Sequence, residues 1–303
     1  MMIYLQLIAH LILVLLWLRI WVKPANEFYF NPFLSGTTRF IDSILNFLRP
    51  VLMLPDQGAA FVLLAFFCVF KTLFFIRFAN GVALSFGTLF SFAPAPQNDA
   101  FPLQVLYGTL QFALFLVRLW TLYFFVSLIS TPKRLTRAGE AFAFFTRPFS
   151  LLPFAIQPFI LVGLHFCLTI TILNLGFIPS TLTVLIQEPQ ASAVDLFQMG
   201  NPFLLLLKTG WLSLMSFVDG LMWVNNALLL CLLGSFLAML FGLKTVMLIC
   251  TEGLDVLLGR FSRRQTATSG VDFTPIIFYF IVYTLYSMIQ IGLYNMIASP
   301  LIK

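Results

Sequence analysis

The stretch FAIQPFILVGLHFCLTITILNLGF, residues 154–177, decides the class of fold. It runs 24 residues without one charged side chain. About 20 predominantly apolar residues in a helix cross the ~30 Å hydrocarbon core of a bilayer. Working outward, the same reading applies to 2–22, which has no charge before Arg19, and to 58–78, where Lys71 and Arg77 come late. It applies to 103–129, interrupted only by Arg118, and to 221–249, which contains only Lys244. It applies again to 273–297, where Thr274-Pro275 suits a first helical turn, since proline is tolerated there. Six membrane-spanning helices are expected. Residues 203–218 are apolar but short, carry Lys208 and run into Asp219-Gly220, so an interfacial or re-entrant helix is expected there.

The whole composition agrees. Of 303 residues, 60 % are hydrophobic and 9 % charged, against ~25 % charged in soluble domains. Mean hydropathy is +0.99. So few charges leave a soluble surface uncovered, and so much apolar residue excludes disorder. The four cysteines lie in or at the end of apolar runs without a C-x-x-C pair, which excludes a disulfide scaffold. The expectation is an all-α membrane protein with one membrane domain over 1–303.

Charge distribution orients the spans. Segment 23–57 holds Lys23, Arg39 and Arg49. Segment 130–153 holds Lys133, Arg134, Arg137 and Arg147, and segment 250–272 holds Arg260, Arg263 and Arg264. The alternate segments 79–102 and 178–200 hold no lysine or arginine. The positive-inside rule then places the three basic segments in the cytoplasm and both termini outside. A seventh crossing at 203–218 would carry Arg260, Arg263 and Arg264 to the far side. The N-terminus lacks a basic n-region, so it is read as a retained first span. The net charge of +6 is explained by these segments, and no nucleic-acid-binding pattern accompanies it.

A repeat organises the spans. Arg49-Pro-Val-Leu-Met-Leu-Pro55 and Arg147-Pro-Phe-Ser-Leu-Leu-Pro153 share the pattern R-P-x-x-x-L-P at an offset of 98. Arg19-Ile-Trp21 matches Arg118-Leu-Trp120 at an offset of 99. Each unit reads as helix, basic segment, helix. The units cover approximately 2–78, 103–177 and, in worn form, 221–297. Tandem helical hairpins of parallel orientation are the expected architecture.

Leu15-Leu-Trp-Leu-Arg-Ile-Trp21, Asn31-Pro-Phe33, Arg49 and Pro55, followed by an apolar helix, resemble one unit of the YggT family, which is related to the chloroplast YlmG proteins. The resemblance is best over 11–78 and recognisable over 105–177. It is degraded over 225–297, where Gly270-Val-Asp272 remains of the family's Gly-Gly-x-Asp. The usual Arg-Arg pair is a single Arg49 or Arg147 here. The resemblance implies a bacterial inner-membrane protein of tandem hairpins. It also implies a role in membrane-protein assembly, division, osmotic tolerance or haem attachment.

Candidate residues follow. Arg118 lies inside a span, where a charge costs ~2.5–3.5 kcal/mol and faces the bundle interior or water. If it matches Arg19, it lies near the cytoplasmic end of its helix and snorkels to the headgroups. Arg19, Arg49, Arg147, Arg263 and Arg264 are candidate contacts to anionic lipid or to other membrane proteins. His10 and His165, the two histidines, are candidate haem ligands if not simply hydrogen-bonded between helices. No catalytic signature is found, and Asp219 and Asp255 have no partner nearby in sequence. No cofactor or metal is expected. A non-enzymatic scaffold or assembly factor leads, with an ion or small-solute channel or transporter linked to osmotic stress as the alternative and a haem-handling membrane protein third.

Overall fold

The structure, a computed structural model, describes residues 2–21, 39, 41–46, 55–78, 84–86, 90–93, 101–129, 137–174, 178–181, 202–261 and 273–298. Its long helices are α1 (Met2–Trp21), α2 (Asp56–Phe78), α3 (Phe101–Ile129), α5 (Gln157–Asn174), α6 (Pro202–Leu240) and α8 (Thr274–Ala298). Two shorter ones are α4 (Arg137–Phe145) and α7 (Lys244–Leu258). Five of these are long and apolar enough to cross a membrane, over Gln57–Phe75, Gln104–Ile129, Gln157–Asn174, Pro202–Leu240 and Thr274–Ile297. In α1 the apolar part, Ile8–Trp21, is shorter.

A small antiparallel sheet accompanies the helices, in the order β1 (Leu84–Phe86), β2 (Phe90–Ala93), β3 (Ile178–Thr181). The all-α expectation contained no strands. Phe90 pairs with Thr181 and Ala93 with Ile178. The strands come from 79–102 and 178–200, the two segments without lysine or arginine. The sheet therefore joins those segments at one end of the bundle.

The main departure from the sequence reading is α6. Residues 203–218 are neither an interfacial nor a re-entrant helix. They form the first half of one continuous helix of 39 residues, about 58 Å long against ~30 Å of hydrocarbon. Asp219-Gly220 reads as a break, yet the helix runs through it. Gly220 instead sets a close approach: a Cβ there would lie 2.5 Å from Thr121 Cγ2 and 2.7 Å from Phe125 Cδ2 of α3. The expected span 221–249 is divided as well. Its first part completes α6, which stops at Gly242, where φ is +67°. There the Leu243 N–H bonds back to the Ala238 carbonyl at 2.8 Å, the six-to-one closure that left-handed glycine permits.

The chain then returns as α7 along the second half of α6. Cysteine and glycine alternate across that crossing: a Cβ on Gly234 would lie 2.7 Å from Cys250 Sγ, and one on Gly253 2.9 Å from Cys231 Sγ. Helix α8 runs antiparallel to α6 along its middle. Phe278 and Val282 pack with Val224 and Leu228, and Gln290 reaches Met215. Helices α1, α2, α3 and α4 share a core of Leu13, Val14, Leu18, Cys68, Phe112, Leu116, Ala141 and Phe144. Small residues set these approaches because helix pairs in lipid gain by packing closely, not by removing apolar surface from water.

Gly108 tests this. A Cβ on it would overlap the Thr72 side chain across the α2–α3 contact. Gly108→Ala is expected to destabilise the protein by about 1–3 kcal/mol through overpacking, despite alanine's higher helix propensity. Adding Thr72→Ala should return part of that loss. Thermal unfolding of the wild type and the two variants in detergent is the measurement, and a Gly108→Ala variant as stable as the wild type would refute the contact.

Candidate functional site

Lys208, Leu212, Met215 and Asp219 are spaced four, three and four along α6, which puts them on one helical stripe. All four are buried. Leucine and methionine belong inside a bundle, but lysine and aspartate need partners there. Asp219 is engaged from two other helices. Arg118 of α3 donates to its Oδ2 at 3.2 Å. Tyr286 of α8 donates its hydroxyl to Oδ1 at 3.0 Å. Gln290, one turn further on α8, donates to the Met215 carbonyl at 3.0 Å and to Asp219 Oδ1 at 3.4 Å. Three helices thus hold one carboxylate at mid-bundle depth.

A second group lies against it. His165 of α5 is completely buried, between Thr121 of α3 and Ser216 of α6. Thr121 already donates its hydroxyl proton to the Val117 carbonyl at 2.8 Å, so its oxygen accepts from His165 Nε2 at 3.0 Å. Ser216 then donates to Nδ1 at 2.9 Å. A neutral imidazole protonated at Nε2 satisfies every group in this chain. Thr169, one turn beyond His165 and also buried, donates to its own helix, to the His165 carbonyl.

A third group lies in the first helices. Lys71 of α2 meets His10 Nε2 of α1 at 2.8 Å and Gln111 Oε1 of α3 at 2.7 Å. The His10 ring stacks on Phe115 at 4.5 Å, and Phe115 meets Trp223 of α6 edge-on at 5.4 Å. The candidate haem ligands therefore belong to different clusters. Both ring nitrogens of His165 and Nε2 of His10 are already engaged. Among the described residues there is no group of three or more histidine, cysteine, aspartate or glutamate side chains arranged to hold a metal.

The other expected contacts separate. Arg19 pairs with Asp42 at 2.9 Å near the end of α1. Arg147 lies 5.5 Å over the Phe144 ring and precedes a cis peptide bond to Pro148. Arg49, Arg263 and Arg264 lie outside the described residues. Arg118 does not occupy the place the repeat gives it. The described part of α1 reaches two residues beyond Arg19, whereas α3 continues well beyond Arg118 to Ile129. Arg118 therefore sits within the bundle and reaches Asp219, rather than snorkelling from a helix end.

Asp219, Tyr286 and Gln290 were not singled out as site residues in the sequence. One signal was present: Asp219 lies within an apolar run and Arg118 is the single charge of 103–129. Opposite charges inside a membrane pair with one another. Compared with known proteins, the chain matches no family model, no curated protein and no solved structure.

Removing one partner strands the other. Arg118→Leu is expected to cost about 3–5 kcal/mol, because a buried carboxylate loses its cation. Arg118→Leu combined with Asp219→Leu should cost less than the two single losses added together. Unfolding of all four proteins in one detergent, read as a double-mutant cycle, measures the coupling. Strict additivity would show that the pair is not coupled.

Proposed function

We propose that the chain is a non-enzymatic transport protein of a bacterial inner membrane, conducting an ion or small polar solute along the polar interior of α6. The observation that carries this reading is the inversion of polarity across that helix. Lys208, Thr209, Ser213, Ser216, Asp219 and Asn225 are each at most 6 % exposed. They extend over about 26 Å, most of the hydrocarbon thickness. The outward residues Phe203, Leu206, Leu230 and Leu233 are apolar and at least half exposed. Polar side chains that face a bundle interior at membrane depth mark ion and substrate pathways.

Two features add to it. Both amide atoms of Asn225 and the Gln290 Oε1 atom are buried without a hydrogen-bond partner among the described residues. Such atoms cost about 1–3 kcal/mol each unless something polar meets them. Water or a passing solute would do so. In this reading the sheet end faces outside, and the basic segments face the cytoplasm and its anionic lipids.

The scaffold reading, with the YggT resemblance behind it, stands second. What favours it is the hairpin of α6 and α7, whose Leu230, Phe236, Leu240, Phe241 and Leu248 are all exposed. Its working contacts would be that hairpin and the arginines of the basic segments.

Tracer flux into proteoliposomes separates the readings. Wild-type protein is expected to carry potassium, chloride or protons above empty vesicles. Asp219→Asn, which keeps the shape and removes the charge, should change that rate at least several-fold in protein that remains monodisperse. Background flux of all three from correctly inserted protein would sink the transport reading. Loss of co-purifying membrane proteins on replacing Arg147 or the Arg263-Arg264 pair would then support the scaffold.

A further inference from the structure

We propose that Lys71, His10 and Gln111 form a one-proton binding site, separate from the Arg118–Asp219 centre, in which the Lys71 amine is the group that takes and releases the proton. The argument begins with a count of donors and acceptors. A neutral amine has two N–H donors and one lone pair. With His10 in the tautomer protonated at Nδ1, Lys71 has two acceptors, His10 Nε2 at 2.8 Å and Gln111 Oε1 at 2.7 Å. The neutral form is therefore fully satisfied, with its lone pair left to accept a proton. The ammonium form has a third N–H, for which the described residues provide no partner.

The surroundings point the same way. Lys71 is 2 % exposed and has no ion pair with a carboxylate among the described residues. On its own helix, Cys68 lies one turn before it, and Thr72 donates away from it to the Cys68 carbonyl. From α1 comes His10, and from α3 come Gln111 and, one turn earlier, the buried Tyr107. Arg118 lies two turns further along α3 and is held by Asp219. An ammonium and an imidazolium 2.8 Å apart in so dry a place would repel strongly, so the pair holds one proton and never two.

Direct contacts of 2.7 and 2.8 Å leave no gap between the three side chains. A proton is the ligand they exchange without moving apart. Uptake places it on the Nζ lone pair and turns amine into ammonium, while His10 stays neutral and goes on accepting at Nε2. Release reverses this, and both hydrogen bonds persist. The cluster meets α6 through the chain His10, Phe115, Trp223. The proposal depends on the packing of α1, α2 and α3 and holds whether or not the protein conducts.

Nitrogen NMR on protein in lipid nanodiscs tests it, with label at lysine Nζ and in the histidine rings. The chain has two histidines, and Lys71→Met and His165→Asn variants assign the signals. Lys71 is expected to show an amine signal at a pH where the other lysines are ammonium. Acidification should convert it with uptake of one proton, while His10 keeps an unprotonated Nε2. In Lys71→Met that nitrogen should lose its donor and shift. The proposal is overturned if Lys71 stays ammonium over the whole range in which the protein is folded, or if His10 and Lys71 are charged together. A Lys71 signal that follows chloride concentration at fixed pH would also overturn it, making the ligand an anion.

Discussion

The ion pair between Arg118 and Asp219 is the constraint on which the middle of this protein depends. Each charge alone would cost several kilocalories per mole at the centre of a bilayer. Together, at 3.2 Å and with Tyr286 and Gln290 on the same carboxylate, they become tolerable. The pair joins α3 to α6, and the additional donors bring in α8. Lipid gives helices little reason to associate through apolar surface alone. A shared carboxylate supplies one, and it fixes which faces meet.

Once Asp219 faces inward, the rest of α6 follows from helical geometry. Residues at three and four positions' spacing share its face, so Met215, Leu212 and Lys208 are carried into the interior. Ser216 and Ser213 flank that stripe, and Ser216 meets His165. Gly220 then lies against Thr121 and Phe125, where a larger residue would push α3 away. The interior along α6 is therefore polar at Lys208, Ser213, Ser216 and Asp219 and apolar at Leu212 and Met215. The outer face of the same helix is leucine and phenylalanine because lipid requires it.

The two halves of α6 do different things. The first half and the middle, as far as Leu228, are packed by α3, α5 and α8. The second half pairs with α7 through two cysteines and two glycines and leaves leucine and methionine side chains exposed on both helices, with Phe236 exposed on α6. Buried polar side chains and an exposed apolar surface therefore occupy one helix without competing. In the first helices the Lys71 cluster uses a different chemistry, an amine shared between an imidazole and an amide instead of a matched pair of charges.

Much of this was legible in the sequence. Charge-free runs near 20 residues have one stable form in a bilayer, since every backbone N–H and C=O must be satisfied within the helix. Hence 58–78, 103–129, 154–177 and 273–297 emerge as α2, α3, α5 and α8 within a few residues. Arg118 was recognisable as a charge needing an explanation. The error at 203–218 has an equally physical cause. Lys208, Asp219 and Gly220 carry the signs of an interface and a helix end, and sequence gives them no partners. The partners of Asp219 lie about 100 residues away on α3 and about 70 away on α8, and Gly220 packs against Thr121 and Phe125 of α3. The sequence alone determined that this chain is built of apolar helices, because that follows from local composition and from the bilayer as solvent. Only the tertiary structure decided that α6 runs unbroken at the centre and that the two histidines serve different clusters, because burial of a charge is settled by what another helix brings to it.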